Sequence, residues 1–287
     1  VVGNSRDDNQ FRQENVTDDA AVPPCYHLAY FPPRLKESEL ASDGYEMDFF
    51  PPKEFFAHRM WVGAKLRFSL ENPLCLNNHA KMTTSLDRTE FNSTGRLGET
   101  ARLFLTKEVS NDKGWCMSEQ RCMVYYPKKP TQSPKGIRYK KQSDFQFTVN
   151  PSSIMLFRYS ALTFNSHKIH YDYLYSTLEE NHPDCLVHGP LSGTLMISKL
   201  QQQLALEKKN EAVNDRVVEF EYKCLSPLYV NRPLTVCGKK SASSQADSSS
   251  TSVNAHQTRV NKHTKYDLWI LNDSGHLAVK GFALIQK

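Results

Sequence analysis

No apolar run in the sequence approaches the ~18–20 residues that a membrane-spanning helix needs, so an integral helical membrane protein is excluded. There is no Gly-x-Ser-x-Gly elbow and no glycine-rich phosphate loop, so neither a serine hydrolase of that type nor a phosphate-cradling nucleotide enzyme is indicated. None of the seven cysteines falls in a Cys-x-x-Cys pair. An odd number of cysteines in a chain too large to need staples reads as free thiols in a reducing compartment. The net charge of +5 is too mild, and its distribution too thin, for the dense basic stripe of a nucleic-acid binder.

What is present is enough for a core. Fifteen Phe, thirteen Tyr and three Trp in 287 residues supply the bulk, and a chain of this length buries roughly three quarters of its unfolded surface. The length allows one large domain or two of ordinary size. Residues 1–24 are polar and end in Pro23-Pro24, a loose arm. Tandem prolines at Pro32-Pro33 and Pro51-Pro52 forbid a long helix between them and leave room only for a short one over Leu35–Ala41. Strand-like blocks follow at Ala64–Leu70, Ala80–Phe91, Ala101–Ser110 and Trp115–Tyr126.

The segment 127–148 opens with six basic residues (Lys128, Lys129, Lys135, Arg138, Lys140, Lys141) and no acid up to position 141, a basic linker. After an apolar stretch at Ile154–Phe164, one helix is predicted from about Pro190 to Lys208, with Leu191, Leu195, Ser198 and Lys199 beside Met196, Leu200 and Leu204 on its face. Four more strands are expected at Arg216–Leu225, Leu228–Cys237, Tyr266–Leu271 and Leu277–Ile285, interrupted by a Ser-rich loop at 239–257.

The strand blocks repeat. Leu66 to Asn77 lines up with Phe220 to Asn231, 154 positions later, and Asn111-Asp112-Lys113-Gly114 with Asn272-Asp273-Ser274-Gly275, 161 later. Two matches in the same order favour an internal duplication. The copies are unequal, because only the second is preceded by a long apolar helix. Where the first lacks one, an apolar groove is left in which a long ligand could lie.

The densest polar cluster runs from Tyr159 through Asn165, His167 and His170 to Asp172, followed by His188-Gly189-Pro190. Residues 157–172 resemble the motif of fungal-type mitochondrial 3-hydroxyacyl-thioester dehydratases and mesaconyl-CoA hydratases, a variant of the MaoC-like Ser-Gly-Asp-x-Asn-Pro-Ile-His. The resemblance extends to Phe31-Pro32-Pro33, Asp43-Gly44-Tyr45, His58-Arg59-Met60-Trp61 and the Pro227-Leu228 strand. It implies an α+β double hotdog: two fused repeats of curved antiparallel sheet, at 25–126 and 149–287, with a long central helix only in the C-terminal one.

The activity implied is reversible dehydration of (3R)-3-hydroxyacyl thioesters to trans-2-enoyl thioesters in mitochondrial type II fatty-acid synthesis, in the matrix. Acyl carrier protein or CoA would carry the substrate, with no cofactor. Two alternatives stand beside it, a short or branched acyl-CoA hydratase of the mesaconyl type and a non-catalytic acyl-thioester-binding protein. A homodimer is compatible with any of them. The sequence begins at Val1 rather than Met, which is compatible with removal of a targeting peptide.

The resemblance places His170 as the catalytic histidine and Asn165 as its partner. Gly189, His167, Tyr159 and His188 then surround the substrate. An imidazole can take a C2 proton, and Gly189 can offer a backbone N–H at a helix start to a thioester oxyanion. Asn165 stands where the broader motif has Asp, and an amide cannot accept a proton at neutral pH. Either His170 handles both proton transfers, or His167 shares the work.

The spacing His167-x-x-His170-x-Asp172, with His182 and His188, could suggest metal ligands, but without a third ligand at defined spacing it reads as hydrogen-bonded polar groups. Arg59 and Arg158 could meet a phosphopantetheine or CoA phosphate, or serve structural pairs. The basic linker, Lys140 and Lys141 in particular, could dock an acidic carrier.

Overall fold

A computed structural model describes residues 20–47, 49, 51, 58–94, 97–127, 136–207, 215–241 and 263–286. Most of the polar arm, Lys128, Lys129 and Lys135 of the basic segment, and most of the Ser-rich loop lie outside them.

Among the described residues, nine antiparallel strands form one sheet: β1 (His58–Phe68), β2 (Ala80–Asn92), β3 (Thr100–Asn111), β4 (Gly114–Tyr126), β5 (Phe145–Val149), β6 (Arg216–Cys224), β7 (Leu234–Lys240), β8 (His263–Leu271) and β9 (Leu277–Gln286). Their order is β2-β3-β4-β1-β6-β9-β8-β7-β5. Read outward from the middle, β1-β4-β3-β2 mirrors β6-β9-β8-β7, so the duplication is a fact of the topology. The two halves join where β1 pairs with β6, and there Leu66 lies opposite Phe220, the residue 154 positions later that the repeat aligns with it. A pseudo-two-fold axis therefore passes through that pair. Lys65 and Arg67 both reach Glu219 across the same seam.

The repeat also recurs in the turns. Asn77 and Asn231 are left-handed, at φ 59° and 58°. Asparagine tolerates this conformation better than most residues. The two Asn-Asp-x-Gly segments close the β3–β4 and β8–β9 hairpins, each with its glycine at positive φ.

The long helix α3 (Gly189–Glu207) packs against β6, β7 and β8 of its own repeat and against β1 of the other. Leu191, Met196, Ile197, Leu200 and Leu204 are buried on it, each such side chain contributing roughly 1.5–3 kcal/mol. The buried stripe is rotated from the predicted one. Ser198 and Lys199 stay half-exposed, while Gly193 and Ile197 face the sheet.

In the first repeat, the short helix α1 (His27–Tyr30) is tied to β4 through His27, whose Nε2 lies 3.2 Å from Glu119. Here β4 turns Glu119 and Arg121 inward. Burial pushes the Glu119 carboxyl up, but Arg121 and a hydrogen-bonded His27 more than reverse this and hold it well below the usual range. Such a pair survives out of water only because both charges are matched.

Several local expectations change. The Leu35–Ala41 helix is a single 3-10 turn, Glu37–Glu39. The segment 228–233, expected to open a strand, is a turn around Asn231, and the strand starts at Leu234. The basic linker ends early, because β5 takes up 145–149 and pairs with β7. Lys141 is bound to Asp267 at 2.5 Å, so its charge is matched within the chain. The apolar stretch at 154–164 is helix α2 (Ser153–Thr163), started by a Ser152 side chain that accepts the Met155 N–H.

Candidate active site

The end of α2 sets the geometry. Phe164 adopts φ 52°, and the chain turns back with Asn165 N–H donating to the Ser160 carbonyl at 3.0 Å. This left-handed position is where the broader motif has glycine. A side chain there costs about 1–2 kcal/mol. The reversal sends 165–170 along the flank of α2. Asn165 Oδ1 accepts the His167 backbone N–H at 3.2 Å, which starts the 3-10 turn Lys168–His170.

His170 Nδ1 lies 2.8 Å from the Leu186 carbonyl. A carbonyl only accepts, so Nδ1 carries the proton and Nε2 holds the lone pair. Burial lowers the His170 pKa to about 4, against the opposing effect of that hydrogen bond. The ring is therefore neutral near pH 7 and able to take a proton. Its flat face stacks on His188, centroid to centroid 3.6 Å.

His188 is fully buried, and it does not line the cavity as a substrate-binding residue would. Its Nε2 is 2.8 Å from Ser160 Oγ, and its carbonyl accepts from Ser192 in the first turn of α3. Tyr159 packs its ring on His188 at 4.9 Å and borders the cavity.

Gly189 opens α3, where backbone N–H groups have no intrahelical acceptor. A Cβ there would come within 2.4 Å of Trp61 Cδ1. The glycine is required by the close approach of the indole, a reason the sequence did not reveal.

His167 stands edge-on to His170 at 5.7 Å and to Tyr45 at 5.6 Å. Its Nε2 is 3.5 Å from Asp43 Oδ2. Burial, then His170, then the Arg59 charge keep its pKa well below the ordinary histidine value. Asp43 is itself paired with Arg59, whose guanidinium lies 4.3 Å from the Tyr45 ring centroid.

Arg59 is thus nearly closed off from solvent, with its side chain 4 % exposed, and is not placed to meet a carrier phosphate. Arg158 is exposed on α2. Asp172 caps the next turn through the Tyr175 N–H, and His182 faces Tyr229. Among the described residues, no three metal-ligating side chains come together.

The cavity in front of His170 has a volume of about 1220 Å³, and Trp61, Met82 and Met123 of the first repeat form part of its wall, with Leu28 and Phe31. Sequence reasoning had found the histidines. It missed the chemistry of Asp43, Tyr45, Arg59 and Trp61, although these fall in the two short blocks near the start that carried the resemblance.

Three buried neutral histidines make the fold acid-sensitive. Their folded pKa values lie below the unfolded value near 6.5, so between the two the unfolded chain binds more protons. Stability is complete above about pH 6.5 and is lost as pH falls toward 4, by up to about 3 kcal/mol for His170. Urea melts at pH 7 and pH 5 should show this loss and a smaller one in His170→Gln. Equal pH dependence in both proteins would contradict it.

Residues 25–230 match the family described as hydroxyacyl-thioester dehydratase type 2. The chain is 32% identical over 227 residues to a mesaconyl-C(4)-CoA hydratase of Chloroflexus aurantiacus, covering 78% of this chain and 76% of that one. It is 31% identical over 248 residues to a mitochondrial hydroxyacyl-thioester dehydratase type 2 of Schizosaccharomyces pombe, covering 77% and 80%. A MaoC-like dehydratase structure from Phytophthora capsici shares the fold, with a TM-score of 0.56 at 14% identity over 84% of this chain and 74% of that one.

Proposed function

Because the chain belongs to the hydroxyacyl-thioester dehydratase type 2 family, we propose that it is a hydro-lyase interconverting (3R)-3-hydroxyacyl and trans-2-enoyl thioesters in mitochondrial fatty-acid synthesis. The observation that carries this reading is the His170 ring, fixed by the Leu186 carbonyl with its Nε2 lone pair unprotonated and stacked on His188, the residue that precedes α3. The fungal relatives are named mitochondrial, and a matrix location is part of the proposal.

In dehydration, His170 Nε2 takes the C2 proton, and the electron pair left at C2 is held as an enolate on the thioester oxygen. The N-terminal N–H groups of α3 at Gly189 stabilise that oxyanion. The pair then forms the C2–C3 double bond, the C3–O bond breaks toward oxygen, and the departing hydroxyl takes the proton from His170 as water. Hydration runs the same steps in reverse.

The cavity favours an acyl group that ends in hydrocarbon. Its two inward arginines, Arg59 and Arg121, are each matched by a carboxylate, Asp43 and Glu119. A second carboxylate on the substrate, as in mesaconyl-CoA, would meet arginines already neutralised. Acyl carrier protein and CoA both remain carriers in this proposal.

The test is hydration of crotonyl-CoA and trans-2-decenoyl-CoA, followed by loss of the enoyl absorbance and by the configuration of the product. Formation of the 3R alcohol from both is expected. Absence of turnover with either would remove the enzymatic reading in favour of a thioester-binding protein.

A further inference from the structure

A water that attacks C3 must aim a lone pair at the carbon, which is best secured when both of its O–H groups have acceptors. His170 Nε2 provides one acceptor. The Asn165 side chain is poorly suited to provide the second, because its oxygen is turned to the His167 backbone N–H and its remaining group is a donor. A carboxylate would ordinarily serve here. Among the described residues, Asp43 is the carboxylate that approaches a histidine of the 165–170 segment, 3.5 Å from His167 Nε2.

Asp43 is held there firmly although it comes from the other repeat, 122 residues before Asn165 in the chain. The Lys168 N–H donates to the Asp43 carbonyl at 2.8 Å, and the Ser166 hydroxyl to the Gly44 carbonyl at 2.5 Å. Gly44 has φ 81°, and a Cβ on it would fall 2.2 Å from the Ser166 carbonyl oxygen. Tyr45 N–H and Arg59 hold the two carboxylate oxygens.

We infer that Asp43 is a positioning residue for the reaction, fixing His167 with its proton on Nε2 so that Nδ1 is the second acceptor for the attacking water or departing hydroxyl. A carboxylate accepts only, so the imidazole nitrogen facing it carries the hydrogen. His167 and His170 then take opposite tautomers, each set by an acceptor behind the ring. This rests on the dehydratase reading for its consequence, while the tautomer itself can be observed without turnover.

Arg59 and His167 Nε2 both face the same carboxylate oxygen, Oδ2. Asp43→Leu removes that acceptor, so His167 is free to carry its proton on Nδ1, which then donates instead of accepting. A wrong histidine tautomer costs on the order of 10⁴ in kcat where the imidazole moves the proton itself. Where it only orients water, a fall of about 10² with little change in KM is expected.

The experiment combines imidazole ¹⁵N NMR with crotonyl-CoA hydration by the wild type, Asp43→Leu, His167→Gln and the double variant. A His167 proton on Nε2 in the wild type and a population on Nδ1 in Asp43→Leu are expected, and the Asp43 substitution should add little once His167 is Gln. A wild-type His167 protonated on Nδ1 would overturn the inference, as would an Asp43→Leu loss of the same size in the His167→Gln background. If Asp43→Leu alone does not fold, because Arg59 is left unmatched, Asp43→Leu with Arg59→Gln carries the same comparison. A wild type without hydratase activity but with the Nε2 tautomer would refute the proposed function and leave the geometry standing.

Discussion

His170→Ala is expected to hydrate crotonyl-CoA with kcat/KM lowered by on the order of 10³–10⁴, because in the proposed mechanism the same imidazole carries the proton in both half-steps. Asn165 does not accept a proton at neutral pH, and His188 is packed behind the ring with Nε2 against Ser160. Neither can replace it. The wild-type acid limb of kcat/KM should fall well below pH 6, since burial lowers the His170 pKa to about 4. The alanine variant leaves a ring-sized space against His188, so added imidazole should restore part of the rate. A folded variant that retained more than about a tenth of wild-type activity would disprove the assignment, since that is less than acid–base catalysis contributes.

Gly189→Ala should be nearly as damaging, for a steric reason. The new Cβ would lie 2.4 Å from Trp61 Cδ1 and 2.8 Å from Cγ. The indole has little freedom to yield, with the Arg121 guanidinium 5.0 Å from its ring centroid on the same sheet. The start of α3 must lift instead, and the N–H groups proposed to hold the oxyanion lift with it. Misaligning such a donor costs about 10²–10³ in kcat. Overpacking adds about 1–3 kcal/mol of destabilisation, visible in thermal melts. In a Trp61→Leu background, where the clash is relieved, the same glycine substitution should cost much less stability. Equal losses in both backgrounds would show that Trp61 is not the obstacle.

What was legible in the sequence was local or repeated. The alignment of Leu66 with Phe220 anticipated a duplication, and the sheet places those two residues side by side. The run from Tyr159 to His170 is contiguous, so its histidines could be found together. The length of α3 was readable from its apolar spacing, although its face was misread by about one residue because Gly193 and Ser192, which carry little apolar signal, are buried.

Contacts between the two repeats were not legible. Nothing in the spacing of Asp43, Arg59 and Trp61 says that they close over His167 and Gly189. Their arrival depends on a glycine turn, a pair of hydrogen bonds and the curvature of a sheet. β5 was hidden for a different reason, since five residues next to a basic, proline-containing segment give too short an alternation to stand out.

The β1–β6 seam has a consequence for how such a chain can diverge. In a symmetric pair of separate identical repeats, every substitution is made twice, and a change that widened one cavity would also strip the catalytic helix from the other. Once the halves share a single polypeptide, each mutates alone. One half is then free to give up its helix and its histidines and become wall, while the other keeps the chemistry. The axis through Leu66 and Phe220 is the surviving trace of a symmetry that covalent fusion allowed to be broken.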